Sequence, residues 1–114
     1  MTEPFSMKIR PVDGGVVIQL VGDAAATQID ALRKGLHSVM DRKPPCVVLD
    51  LHDLEFINSL GLGVLLEFRK KLYEREAVLR LAGANESVSE IFRKTRLVEL
   101  FPMFASADQA LGSS

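Results

Sequence analysis

Cys46-Val47-Val48-Leu49-Asp50-Leu51 runs through a short polar segment into Asn58-Ser59-Leu60-Gly61-Leu62-Gly63. The first six residues are nearly all apolar and rich in β-branched side chains, the pattern of a strand covered on both faces in a parallel sheet. His52 to Ile57 reads as a loop. Beyond it Leu62, Leu65, Leu66, Arg69 and Leu72 recur at helical spacing, which predicts a helix from Ser59 to about Glu74 with Glu67, Lys70 and Lys71 on its wet side. Asn58 stands where a capping side chain is wanted. A buried strand feeding an amphipathic helix is the repeating unit of an α/β fold.

Working towards the N-terminus, Lys43-Pro44-Pro45 closes a helix expected from Thr27 to Met40, because proline cannot continue a helix and biases its predecessor away from helical angles. Ile29, Leu32, Leu36 and Val39 form its apolar stripe, and Thr27 or Asp23 is the expected cap. Before it, Asp13-Gly14-Gly15 is a turn joining an edge strand, Met7 to Val12 with Pro11 in it, to the strand Val16–Val21. Gly22 is expected to break that strand. Towards the C-terminus, Ala77 to Ala82 is a strand stopped by Gly83. Ser87-Val88-Ser89-Glu90 has capping-box spacing and opens a helix carrying Ile91, Phe92 and Thr95. A short irregular or strand segment at Met103-Phe104 follows, and Ser106-Ala107-Asp108-Gln109 starts a last helix.

The expected order is therefore ββαβαβα(β)α. It describes a small α/β sandwich whose sheet of about four to five strands is mostly parallel after an opening hairpin, with right-handed crossovers and helices packed on it. Residues 1–6 are expected to be a flexible N-terminus and 7–114 a single domain.

The chain has 114 residues, 47% of them hydrophobic and 25% charged, and its 14 Lys and Arg against 15 Asp and Glu leave a net charge of −1. A disordered protein is excluded by that balance, and it carries no bulk electrostatic footprint for nucleic acid or anionic lipid. One cysteine, Cys46, makes no internal disulfide and, with no histidine near it in sequence, no zinc site. The opening residues lack the apolar stretch of a signal peptide, and no apolar run is long enough to span a bilayer. A cytoplasmic protein without metal, cofactor or membrane insertion is expected.

Ser59 is the residue that could carry function. At the start of a helix the backbone N–H groups lack intrahelical acceptors and the dipole favours negative charge. A phosphate on Ser59 is expected to meet amide donors at Gly61 and Leu62, with little steric interference from Gly61 and Gly63. The competing reading is that Ser59 or Asn58 simply caps the helix, the commoner role for such residues. An enzymatic reading is weak: neither His37 nor His52 is tied to a nucleophile elbow, Cys46 has nothing beside it to lower its pKa, and Gly61-x-Gly63 lacks the third glycine of a dinucleotide fingerprint. Arg69, Lys70, Lys71 and Arg75 read as a solvated basic helix face, and Phe101-Pro102-Met103-Phe104 as core packing.

Asp50-Leu51-His52-Asp53-Leu54-Glu55-Phe56-Ile57-Asn58-Ser59-Leu60-Gly61-Leu62-Gly63 resembles the central motif of STAS domains, in particular of bacterial anti-sigma factor antagonists. The likeness extends over nearly the whole chain, through Leu20-Val21-Gly22, the first helix and the late Phe92-x-x-Thr95-x-Leu97. The resemblance implies a protein-interaction switch and no enzyme. Its partner is an anti-sigma factor that is also a serine protein kinase of ATPase-type fold, and a phosphatase reverses the modification. Ser59 matches the phosphorylated position. Asp23, Asn58, Ser59, Leu60, Gly61 and Leu62 form the implied partner-binding surface.

Three positions depart from the family pattern. Asn58 replaces an Asp, Leu60 replaces a second hydroxyl residue, and Gly22-Asp23-Ala24-Ala25 replaces Gly-Glu-Leu-Asp. The departures leave a second expectation, a constitutive STAS adaptor in a stress-signalling or lipid-transport complex, in which Ser59 is only a cap.

Overall fold

The computed structural model describes residues 4–112. β1 (Ser6–Val12) turns at Gly14, whose φ of 85° suits glycine, and pairs antiparallel with β2 (Gly15–Ala24). The opening hairpin is thus present, with β1 starting one residue earlier than expected. Phe5 ahead of it packs against the core, while Met1 to Glu3 lie outside the described residues.

The remaining strands are parallel. β3 (Cys46–Asp50) lies beside β2, β5 (Val78–Ala82) beside β3, and β6 (Met103–Phe104) beside β5. The spatial order is β1-β2-β3-β5-β6, and β4 (Leu54–Ile57) adds a parallel ladder to the end of β2. Among the described residues the sheet has six strands, one more than the upper expectation.

Side-chain alternation along these strands separates two layers. Ile18, Leu20, Leu49, Leu79 and Leu81 point into the larger core, which holds the apolar faces of α1 (Ile29–Met40), α2 (Ser59–Glu74) and α3 (Glu86–Lys94). Phe92 of α3 meets Phe101 edge to face there, with ring centroids 5.7 Å apart. Val17, Val48 and Ala82 face the other way, onto Ala110 of α4 (Ala107–Gly112). The expected sandwich of helices on a mostly parallel sheet is the observed architecture.

Four local expectations are corrected. The segment read as a loop contains β4, whose Leu54 and Ile57 are fully buried; their spacing of three hides a strand from a period-two reading. Gly22 does not end β2 but sits at a register shift, with φ 87°, and lets the strand bend on to Ala24. Residues Ala26–Gln28 form a 3-10 turn, so α1 starts at Ile29; Gln28 in the cap position makes no side-chain cap bond, and neither Thr27 nor Asp23 acts as the cap. The cap of α3 is Asn85, whose side chain accepts from the Val88 amide at 2.9 Å, two residues ahead of the expected Ser87. At α4 the expected cap holds: Ser106 Oγ accepts from the Gln109 amide at 3.2 Å.

Candidate functional site

The chain reaches the site along β4, which lies against the bent end of β2: Asp23 pairs with Phe56 and Ala24 with Ile57. Asn58 then leaves the sheet with extended angles (φ −91°, ψ 179°) and caps α2, its Oδ1 accepting from the Gly61 amide at 2.9 Å. Ser59, the first residue of α2, is exposed, and its hydroxyl has no hydrogen-bond partner among the described residues. Capping is Asn58's work. Of the two residues that competed for the cap, the structure uses Asn58 and not Ser59.

The amides are not disposed as expected. Gly61 N–H is taken by Asn58 Oδ1, and Leu62 N–H donates to the Asn58 carbonyl at 3.0 Å. The first-turn donors left over are those of Ser59 and Leu60, since the opening helical bonds begin only at the third and fourth residues. No acidic residue occupies the first turn of α2.

The implied partner-binding residues divide by exposure. Leu60 is 59% exposed, more than any other large apolar side chain described, whereas Leu62 is 6% exposed and faces the core. Gly61 is buried, and a Cβ there would lie 2.6 Å from Ile57 Cγ1, so glycine is needed where α2 meets the end of β4. Gly61 and Leu62 therefore support the surface from beneath. Asn58 and Asp23 are half-buried, and one carboxylate oxygen of Asp23 is buried with no hydrogen-bond partner. Ala25 is also half-buried. Phe56 was not singled out in the sequence, yet it is 44% exposed and only four residues from Leu60. An aromatic residue in a segment read as loop was the available signal.

The other reactive side chains lie elsewhere. Cys46 opens β3, and burial pushes its thiol pKa up, against the opposing pull of Arg80, whose Nη1 is 3.8 Å from Sγ. His52 is exposed, with Nδ1 3.0 Å from Asp53 Oδ1, and Asp53 Oδ2 accepts from Gln19 at 2.9 Å. His37 on α1 lies 3.4 Å from Lys71 Nζ. Among the described residues no three His, Cys, Asp or Glu side chains are grouped to hold a metal ion, and no helix is long and apolar enough to cross a membrane.

Comparison with known proteins places this arrangement in context. The STAS domain family model matches residues 6–110. BtrV of Bordetella bronchiseptica, described as a candidate anti-sigma factor antagonist, is 30% identical over 106 residues, with 93% of this chain and 91% of the relative covered. Among solved structures, an anti-sigma factor antagonist from Mycobacterium paratuberculosis superposes with a TM-score of 0.87 at 27% identity, over 95% of this chain and 92% of that one. The anti-sigma factor antagonist SpoIIAA in its unphosphorylated form gives a TM-score of 0.80 at 19% identity, with 93% of each chain covered, a likeness of fold.

Proposed function

The chain belongs to the STAS-domain family, and on that premise we propose that it is a cytoplasmic anti-sigma factor antagonist switched by phosphorylation of Ser59. Its partner is an anti-sigma factor with serine kinase activity and an ATPase-type fold. The unmodified protein docks on that partner and frees the sigma factor, and a phosphatase resets the modified form. The chain itself catalyses nothing. Relatives described as anti-sigma factor antagonists support the class of activity.

The observation that carries the switch is the exposed, unbonded hydroxyl of Ser59 beside a cap supplied by Asn58. A kinase can reach that oxygen without dismantling the helix start. Phosphorylation adds about −1.5 to −2 charges. The helix N-terminus tolerates this charge, with the Ser59 and Leu60 amides nearest to it. A partner surface fitted to Leu60 and Phe56 does not, because docking would strip water from the dianion against apolar groups. Unfavourable juxtapositions of this kind cost several kcal/mol in an interface, and about 5.5 kcal/mol inverts a 1:99 equilibrium.

The test is fragmentation mass spectrometry across Asn58–Arg69 on protein from its native host, paired with co-purification of Ser59→Ala and Ser59→Asp variants. The switch predicts phosphate on Ser59, a partner retained by the Ala variant and lost by the Asp variant. An unmodified Ser59 under growth and stress, with the Asp variant still binding, refutes the switch. That result favours the constitutive adaptor, the reading suggested by Ala25 and Leu60 in place of acidic and hydroxyl residues.

A further inference from the structure

β4, which carries Phe56, has β2 as its one strand neighbour among the described residues. On that side the register shifts between Gly22 and Asp23, and the bond nearest the site, Asn58 N–H to the Ala24 carbonyl, is stretched to 3.5 Å. Leu54 and Ile57 are buried in the core, while Phe56 between them is exposed. Burial of apolar groups is non-directional, so the facing of the Phe56 ring depends on directional bonds to β4.

One such bond comes from outside the sheet. The Asp53 carbonyl, just ahead of β4, accepts from the Gly22 amide at 2.9 Å and so faces β2. Successive carbonyls of an extended chain point to opposite sides, which turns the Leu54 carbonyl away from β2. Asn85 Nδ2 donates to that carbonyl at 2.9 Å, while Asn85 Oδ1 accepts from the Val88 amide at 2.9 Å and caps α3. The partners fix the orientation of the side-chain amide, since an N–H requires its oxygen and a carbonyl its NH2 group. Capping alone would be served as well by Asp or Ser. The bond to Leu54 requires a residue that accepts at one end and donates at the other, and Asn58, which caps α2, makes no second bond of this kind among the described residues.

We propose that Asn85 is a positioning residue of the Ser59 site: one side chain fixes the start of α3 and, through the Leu54 carbonyl, the strand that presents Phe56. The proposal rests on the docking surface of Phe56 and Leu60 described above. Ser59 itself is placed by other contacts, the Asn58 cap and the packing of Gly61 on Ile57. Loosening β4 therefore disturbs partner docking more than it disturbs the hydroxyl that is modified.

Asn85→Asp separates the two roles, because it keeps the cap acceptor and sets a carboxylate oxygen against the Leu54 carbonyl. Amide exchange is followed by NMR on isotope-labelled full-length protein. Phe56, Ile57 and Asn58 should exchange roughly three- to tenfold faster in Asn85→Asp, the factor that one net hydrogen bond is worth, while Glu90, Ile91 and Phe92 in α3 keep their wild-type rates. Asn85→Ala, which loses the cap as well, should quicken both groups. Phosphorylation of Ser59 is then measured in native-host extract with ATP and Mg2+ over a range of substrate concentrations. Asn85→Asp should raise KM by about three- to tenfold and leave the maximal rate within about twofold; a merely destabilised chain would lose maximal rate instead. Unchanged β4 exchange, equal quickening of α3 and β4 in Asn85→Asp, or an unchanged KM overturns the proposal. Wild-type protein left unphosphorylated refutes the switch itself and with it the site role of Asn85, whereas the exchange rates still report whether Asn85 holds β4, so the two failures are read separately.

Discussion

Asn58→Ala and Ser59→Ala, adjacent substitutions at one helix start, should have unequal consequences, the first destabilising and the second nearly neutral. Removing Oδ1 of Asn58 leaves the Gly61 amide, a partly buried donor now bonded at 2.9 Å, without its acceptor. Loss of such a cap costs about 0.5–2 kcal/mol, typically ~1. Unfolding entropy of roughly 2.1 cal/mol/K per residue amounts to about 240 cal/mol/K for this chain, so ~1 kcal/mol lowers Tm by about 4 °C. The Ser59 hydroxyl bonds nothing among the described residues and is exposed. Alanine is the better helix former, so Ser59→Ala should stay within about 0.5 kcal/mol, or ~2 °C. Asn58→Asp keeps the acceptor and adds a charge favourable to the helix dipole, with a gain of roughly 0.3–1 kcal/mol at low salt. Scanning calorimetry of the three variants at neutral pH measures all of this. If Ser59→Ala proves as costly as Asn58→Ala, Ser59 is itself a cap, and the argument for its availability to a kinase fails.

Two further outcomes follow from local packing. Gly61→Ala should be destabilising, since its Cβ would stand 2.6 Å from Ile57 Cγ1 and 3.0 Å from Cδ1; overpacking costs about 1–3 kcal/mol against a helix-propensity gain of ~1. Gly63→Ala, two residues on with nothing within 4 Å, should instead stabilise by roughly 0.5–1 kcal/mol; urea denaturation that ranks the two alike would contradict the assigned contacts. Burial raises the Cys46 thiol pKa, so iodoacetamide should alkylate it more slowly at pH 8 than it does a free cysteine. For an acid whose folded pKa lies above its unfolded one, the associated stability is complete below the unfolded value, about 8.5, and is lost as pH rises through the folded value. Alkylation at the free-cysteine rate would show that the thiol is not shielded.

The α/β class, the parallel order and the span of α2 were legible in the sequence because they rest on local patterns. Val47-Val48-Leu49 announces a strand covered on both faces, the leucines from Leu62 to Leu72 announce one helical stripe, and Asp13-Gly14-Gly15 announces a tight turn. Asn58 and Ser59 were identifiable as the competitors for one cap, and the STAS motif singled out the same pair. What local pattern could not supply were features created by distant partners. β4 exists because the end of β2, bent at Gly22, offers it a ladder. Tertiary structure also decided that Leu62 faces inward while Leu60 faces solvent. It decided that Gly61 is required by contact with Ile57, and that Asn58 rather than Ser59 closes the helix. Residues 69–76 read in isolation as a solvated basic face. Folding divides that face among distant neighbours: Arg69 donates to the Leu100 carbonyl, Lys71 turns to Glu67 and His37, and Arg75 donates to the Met40 carbonyl. Chain order encodes periodicity and turns, whereas a surface belongs to residues that are far apart in sequence and adjacent only after the core has closed.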